Sequence, residues 1–234
     1  LEDYDPDWTP NTTDAEGRRY RFRNQPDIAL WNLVQLGNAL YPLIEDIASM
    51  EQVLNSYNQQ FDSQFPIMQQ QKLGLQSEYD SDFQDELITL LSASETDMTI
   101  FYRNLANVVK TDTSDEALAK ITLAFYQPDK IVTTLQTSWL NWMELYLEKI
   151  KAEILSDEER KLAMNTINPK YVLRNYMAQL AIEAAEKEDY TLIDELYTLL
   201  KNPYDEQPQY EKWFAKRPDW ARDKVGCSML SCSS

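Results

Sequence analysis

The sequence predicts an all-α chain, and three observations carry that prediction. Only 4 glycines occur among 234 residues, too few for the tight turns of a strand-turn-strand fold or for a phosphate-cradling loop. The composition leans to Gln, Glu, Leu and Ala, residues that lose little freedom in a helix. Apolar residues then recur at intervals of three and four along most of the chain, the spacing that lines one face of a helix. Hydrophobic residues make up 43% and aromatic residues 12%, enough to fill a core.

Residues 1–26 stand apart as an extended loop, because Asp3, Asp5, Asp7, Pro6, Pro10, Asn11 and Gly17 are turn formers. Within it, Arg18-Arg19-Tyr20-Arg21-Phe22-Arg23 is the most basic stretch and alternates like a short extended piece. Asn24-Gln25-Pro26-Asp27 reads as a helix start. The helix that follows carries Ile28, Trp31, Leu33, Leu36 and Leu40, and Pro42 is expected to kink or end it. A long helix over 49–72 places Met50, Val53, Leu54, Tyr57, Phe61 and Phe65 on one stripe, with Pro66 as a possible break. Helices are predicted over 80–92 and 97–110, and another is capped at Ser114-Asp115-Glu116. Pro128 opens a helix to about Leu155 that carries Trp139, Trp142 and Tyr146. Ser156 to Glu159 forms a capping box. Asn168-Pro169 is expected to start a helix over 170–187, and 190–201 forms the last helix. From Pro203 onward a tail rich in Pro, Tyr and Trp is expected to pack across the helices.

Charge and residue counts exclude several functions. The net charge of −17 repels duplex nucleic acid, so no DNA partner is expected. No run of about 18 apolar residues occurs, so no membrane-spanning helix is expected either. There is no histidine. A Ser-His-Asp or Cys-His device therefore cannot be assembled from this chain, and no catalytic residue is assigned. The opening Leu1-Glu2-Asp3 has neither an initiator Met nor a signal pattern, and the expectation is a fragment of a longer protein.

The candidate sites are few. Asp3, Asp5 and Asp7 resemble a cation cluster, but they lack the Gly and distal Glu of a calcium loop and read better as a solvated acidic loop, so no metal ligand is assigned. Arg18, Arg19 and Arg21 are candidate contacts for a nucleotide or a substrate phosphate, because guanidinium forks match such oxygens. The competing reading pairs these arginines with the chain's own carboxylates. Arg174, on an apolar helical face, reads as one half of a buried ion pair, and Trp139 and Trp142 read as core. Cys227 and Cys232, five apart near the end of the chain, are candidate redox thiols.

Several stretches also resemble the selenoprotein O (SelO/YdiU) family. They are Tyr4-Asp5-Pro6, Pro10-Asn11-Thr12-Thr13-Asp14, Gly17-Arg18-Arg19-Tyr20, Asn24-Gln25-Pro26 and Trp31-Asn32-Leu33. Toward the other end, the blocks Asn168 to Tyr176, Asn202 to Pro208, Pro218-Asp219-Trp220-Ala221 and Cys232-Ser233-Ser234 match as well. Residues 45–165 are less distinctive.

The resemblance implies a protein-kinase-like (pseudokinase) fold that binds ATP inverted and transfers AMP to Ser, Thr or Tyr hydroxyls of proteins. It implies Mg²⁺ or Mn²⁺ and ATP as cofactors. It also implies that this chain is the helical C-lobe part, with the ATP-gripping and metal-binding residues in an N-terminal half that is its structural partner and ends in Asp-Tyr-Gly-Pro-Phe-Gly-Phe. Residues 1–26 then correspond to an activation-segment-like loop, 27–202 to the helical C-lobe domain and 203–234 to the tail. Cys232 falls where some members carry selenocysteine. Residues 1–26 hold no cysteine to pair with it, which leaves Cys227 or a thiol relay. The expected location is a bacterial cytoplasm, or a mitochondrion in a eukaryote. The rival reading is an acidic helical scaffold that binds proteins through a basic docking strip at 18–23.

Overall fold

The computed structural model describes residues 3–9, 17–224 and 227. Among them the chain is helical, with no β element beyond the isolated bridges Asp3–Asp97 and Thr96–Phe125. The described residues divide into two compact units. The smaller holds residues 5–9 and 17–68, and the larger holds 3–4, 69–224 and 227.

In the smaller unit, α1 (Gln25–Ile44) starts with Pro in its first turn, where the missing N–H is harmless. Pro42 does not end it. The helix runs two residues further and stops where Glu45 takes a left-handed φ of 53° and donates its N–H to the Tyr41 carbonyl. α2 (Ile47–Leu73) runs through Pro66 unbroken and contributes its residues from Gln69 onward to the larger unit. Gly37 of α1 faces Met50 and Leu54 of α2. The Tyr57 hydroxyl donates to the Pro26 carbonyl at 3.0 Å, so the two helices run antiparallel. Tyr57, Phe61 and Phe65 stack successively along α2, with centroids 6.5 and 5.2 Å apart, as four-residue spacing on one face requires.

α2 ends at Gly74, whose φ of +69° is the left-handed conformation of a helix stop. Leu75 donates back to the Gln70 carbonyl and Gly74 to that of Gln71. A Cβ at position 74 would lie 2.7 Å from Met164 Sδ and 2.8 Å from Arg160 Cγ, so glycine is required twice over.

The larger unit continues with α3 (Ser81–Ala93), α4 (Met98–Leu105) and α5 (Ser114–Ile121). Pro128–Lys130 (α6) leads through a π-helical stretch, Ile131–Leu135, into α7 (Gln136–Ala152). α8 (Asp157–Ile167), α9 (Asn175–Ala185) and α10 (Thr191–Leu200) follow. Four of these helix starts are capped by side chains: Asp80 for α3, Asp97 for α4, and capping boxes Thr113/Glu116 for α5 and Ser156/Glu159 for α8. The cap of α5 is thus one residue earlier than the sequence suggested.

Trp139 and Trp142 are fully buried at the centre of this unit. Phe83, Trp142 and Tyr146 form a near-parallel stack with centroids 4.8 and 5.3 Å apart. Both indole N–H groups are satisfied, Trp139 donating to Ser94 Oγ at 2.8 Å and Trp142 to the Phe83 carbonyl at 3.2 Å. A second apolar cluster joins Tyr171, Tyr176, Met177, Leu196, Leu199 and Trp213, which anchors the tail beyond Pro203 against α9 and α10.

Candidate functional site

The basic run at 18–23 does not extend as its alternation suggested. Arg18 has a left-handed φ of 43°, the Arg21 N–H donates to the Arg18 carbonyl at 3.0 Å, and Phe22–Asn24 form a 3₁₀ turn that leads into α1. The Asp7 carboxylate receives Arg21 at 3.3 Å and also Arg23. Backbone bonds strap the same segments together, Phe22 N–H to the Trp8 carbonyl and Arg23 N–H to the Pro6 carbonyl, each at 3.0 Å. Asp5 holds the Asp7 N–H at 2.8 Å.

The six-residue run therefore splits by task. Arg21 and Arg23 serve Asp7, and Arg21 Nε also donates to Asn24 Oδ1 at 3.1 Å. Arg18 is exposed and reaches the Asp7 carbonyl at 3.5 Å. Arg19 lies over the Tyr20 and Trp31 rings, 5.9 and 5.3 Å from their centroids. With Asn24, Asp27, Ile28 and Trp31 it lines an open cleft of about 520 Å³. A guanidinium on an aromatic face, beside one amide and one carboxylate, can bind a phosphate or stack on a planar ring.

The acidic residues near the start do not converge on a cation. Asp7 is taken by Arg21 and Arg23, and Asp3 pairs with Arg217 at 3.3 Å. Among the described residues, no three His, Cys, Asp or Glu side chains gather closely enough for a metal. Cys227 is buried in the second cluster and its carbonyl accepts from Asn175 Nδ2 at 3.1 Å. Cys232 lies outside the described residues.

Arg174 forms the buried ion pair anticipated for it. Its two terminal nitrogens reach Asp97 at 2.5 and 3.0 Å, with both side chains at most 2% exposed. Burial alone would lower the Arg174 pKa, but the Asp97 charge overrides this and raises it. α9 starts at Asn175, with Arg174 extended ahead of it, and not near 170. The Lys170 and Tyr171 N–H groups both donate to the Pro203 carbonyl, at 2.8 and 3.0 Å, so this stretch is spent on a clasp with the tail. Gln207 completes the clasp by accepting from the Tyr171 hydroxyl and donating to the Leu199 and Asn202 carbonyls.

Two networks built on buried cations, Arg103 with Lys170 and Arg160, escaped the sequence reading. Arg103 binds the Asn165, Asn168 and Tyr204 carbonyls and Glu206 Oε1 at 2.7 Å. Lys170 binds Glu206 at 2.7 Å and Glu211 at 2.6 Å. The second, Arg160, is fully buried against Tyr146 Oη, Met164 Sδ and the Val108 carbonyl. Burial pushes the Tyr146 hydroxyl up to about 12, against the opposing pull of Arg160.

The family model described as "Protein adenylyltransferase SelO" matches residues 1–201. The chain belongs to this family. Its SelO relatives include the "Protein nucleotidyltransferase YdiU" of Flavobacterium johnsoniae, 58% identical over 236 residues that cover 100% of this chain and 45% of the relative. The protein of the same description from Rhodopirellula baltica is 47% identical over 248 residues, covering 100% and 46%. That from Aromatoleum aromaticum is 44% identical over 236 residues, covering 100% and 44%. The chain thus spans a little under half the length of these SelO relatives. No helix among the described residues is long and apolar enough to cross a membrane.

Proposed function

We propose that this chain is the helical C-terminal portion, the C-lobe, of a kinase-like protein adenylyltransferase. The whole protein transfers AMP from ATP to Ser, Thr or Tyr hydroxyls of protein substrates. The observation that carries the reading is 58% identity across the whole chain to a relative described as a protein nucleotidyltransferase. The reaction joins a hydroxyl oxygen to the α-phosphorus and breaks the α–β bridge, releasing pyrophosphate. ATP and Mg²⁺ or Mn²⁺ are assigned to the remainder of the protein, because the described carboxylates are engaged with arginines or dispersed and do not fit a metal. The part given to this chain is a substrate or phosphate contact at Arg18, Arg19 and Arg21, with Arg19 at the cleft the most direct. Cys232, with Cys227, is assigned a redox role at the tail.

Incubating the full-length protein with ATP labelled at the α-phosphate tests the activity. Label on protein together with released pyrophosphate is expected. Protein left unlabelled by this ATP but labelled by ATP carrying the label at the γ-phosphate would identify a kinase instead and refute the proposal. In the same assay Arg19→Ala is expected to reduce transfer at least tenfold while the far-UV circular dichroism stays unchanged. An unaltered rate would remove Arg19 from the site.

A further inference from the structure

α1 is apolar on two sides. Leu30, Val34 and Gly37 occupy the partly buried side that faces α2. At 100° per residue, Ala29, Leu33, Leu36, Leu40 and Leu43 fall on a different side, spaced by four, three, four and three residues. Four of these five are exposed leucines, Leu43 at 82% and Leu36 at 53%. A helix that is apolar on two sides is one that is covered on two sides. The stripe averages 3.5 residues per repeat, the pattern that accepts another helix at a crossing near 20°.

We propose that this stripe is the seat of a helix from the part of the protein that precedes residue 1. The proposal rests on the reading of this chain as a C-terminal portion. Two observations favour that occupant. More than half the length of the SelO relatives lies outside this chain, and α1 begins within 25 residues of residue 1, so a preceding segment is held at high local concentration. A second copy is disfavoured by charge, since each carries −17 and like-charged copies repel. The seated helix should itself carry Leu, Ile or Val at alternating three- and four-residue intervals for about four turns.

Hydroxyl-radical footprinting of the full-length protein tests whether the stripe is covered. Comparing like residues removes intrinsic reactivity: Leu36 and Leu43 against Leu162, which is 68% exposed here. Rates for Leu36 and Leu43 at least fivefold below that of Leu162 are expected, and a smaller difference overturns the proposal. A photo-crosslinker replacing Leu40 identifies the occupant. Crosslinks to sequence before residue 1 support the proposal, whereas crosslinks within residues 1–234 or to a second molecule refute it. Coverage by the preceding segment in a protein that transfers no AMP would sink the enzymatic reading and leave this one standing.

Discussion

At position 97 one carboxylate is both helix cap and counter-ion. Asp97 accepts the Ile100 N–H at the start of α4 and the bidentate Arg174 guanidinium, with no exposure to water. Removing one partner of such a pair strands the other charge, at a cost of about 3–5 kcal/mol. Arg174→Gln is therefore expected to lose that much in urea unfolding. Adding Asp97→Asn to it should recover part of the loss, a coupling that a double-mutant cycle measures. At Glu206 burial raises the carboxyl pKa, but the hydrogen bonds from Lys170 and Arg103 outweigh it and leave the net value lowered. A lowered carboxylate pKa stabilises the fold above its unfolded value and loses that contribution as pH falls through the folded value. Glu206→Gln is thus expected to have a lower urea midpoint than wild type at pH 7, with the gap closing toward pH 3. A constant gap would contradict the ion-pair account.

Among the elements, the stop of α2 makes the sharpest demand on a single residue. Gly74→Ala must hold a left-handed φ and push a methyl into Met164 and Arg160, at a cost of about 2–4 kcal/mol. Hydrogen exchange should show faster opening around Leu73 to Leu75. Ser156→Ala removes one half of the α8 capping box and is expected to cost about 1 kcal/mol in thermal unfolding. Local signals of this kind were the legible part of the fold. The Ser156 box, the Pro26 start and the aromatic stripes of α2 and α7 all depend on neighbours within four residues. The start of α9 was illegible for the opposite reason. Asn168-Pro169 has the form of a helix start, yet the N–H groups after it are claimed by Pro203, over thirty residues away. The Arg18–Arg23 run was misread as extended because its partner, Asp7, lies eleven or more residues upstream.

Over the whole molecule, the net charge of −17 destabilises the compact state through self-repulsion, which salt screens. The melting temperature is expected to rise between 10 and 200 mM salt, and a flat response would show that the ion pairs lost to screening offset the relief. At this scale the family was legible from dispersed residue blocks, but what those blocks do was not. Asn168 to Tyr176 and Asn202 to Pro208 proved to be two halves of one clasp, a relation that only the folded chain displays. The Asp3–Arg217 pair, closed between residues 214 apart in sequence, has a consequence for biosynthesis. At about 5–20 residues per second, Arg217 leaves the ribosome roughly 10–40 s after Asp3. Throughout that interval Asp3 waits without its counter-ion, so the larger unit cannot close this contact until synthesis has reached the tail.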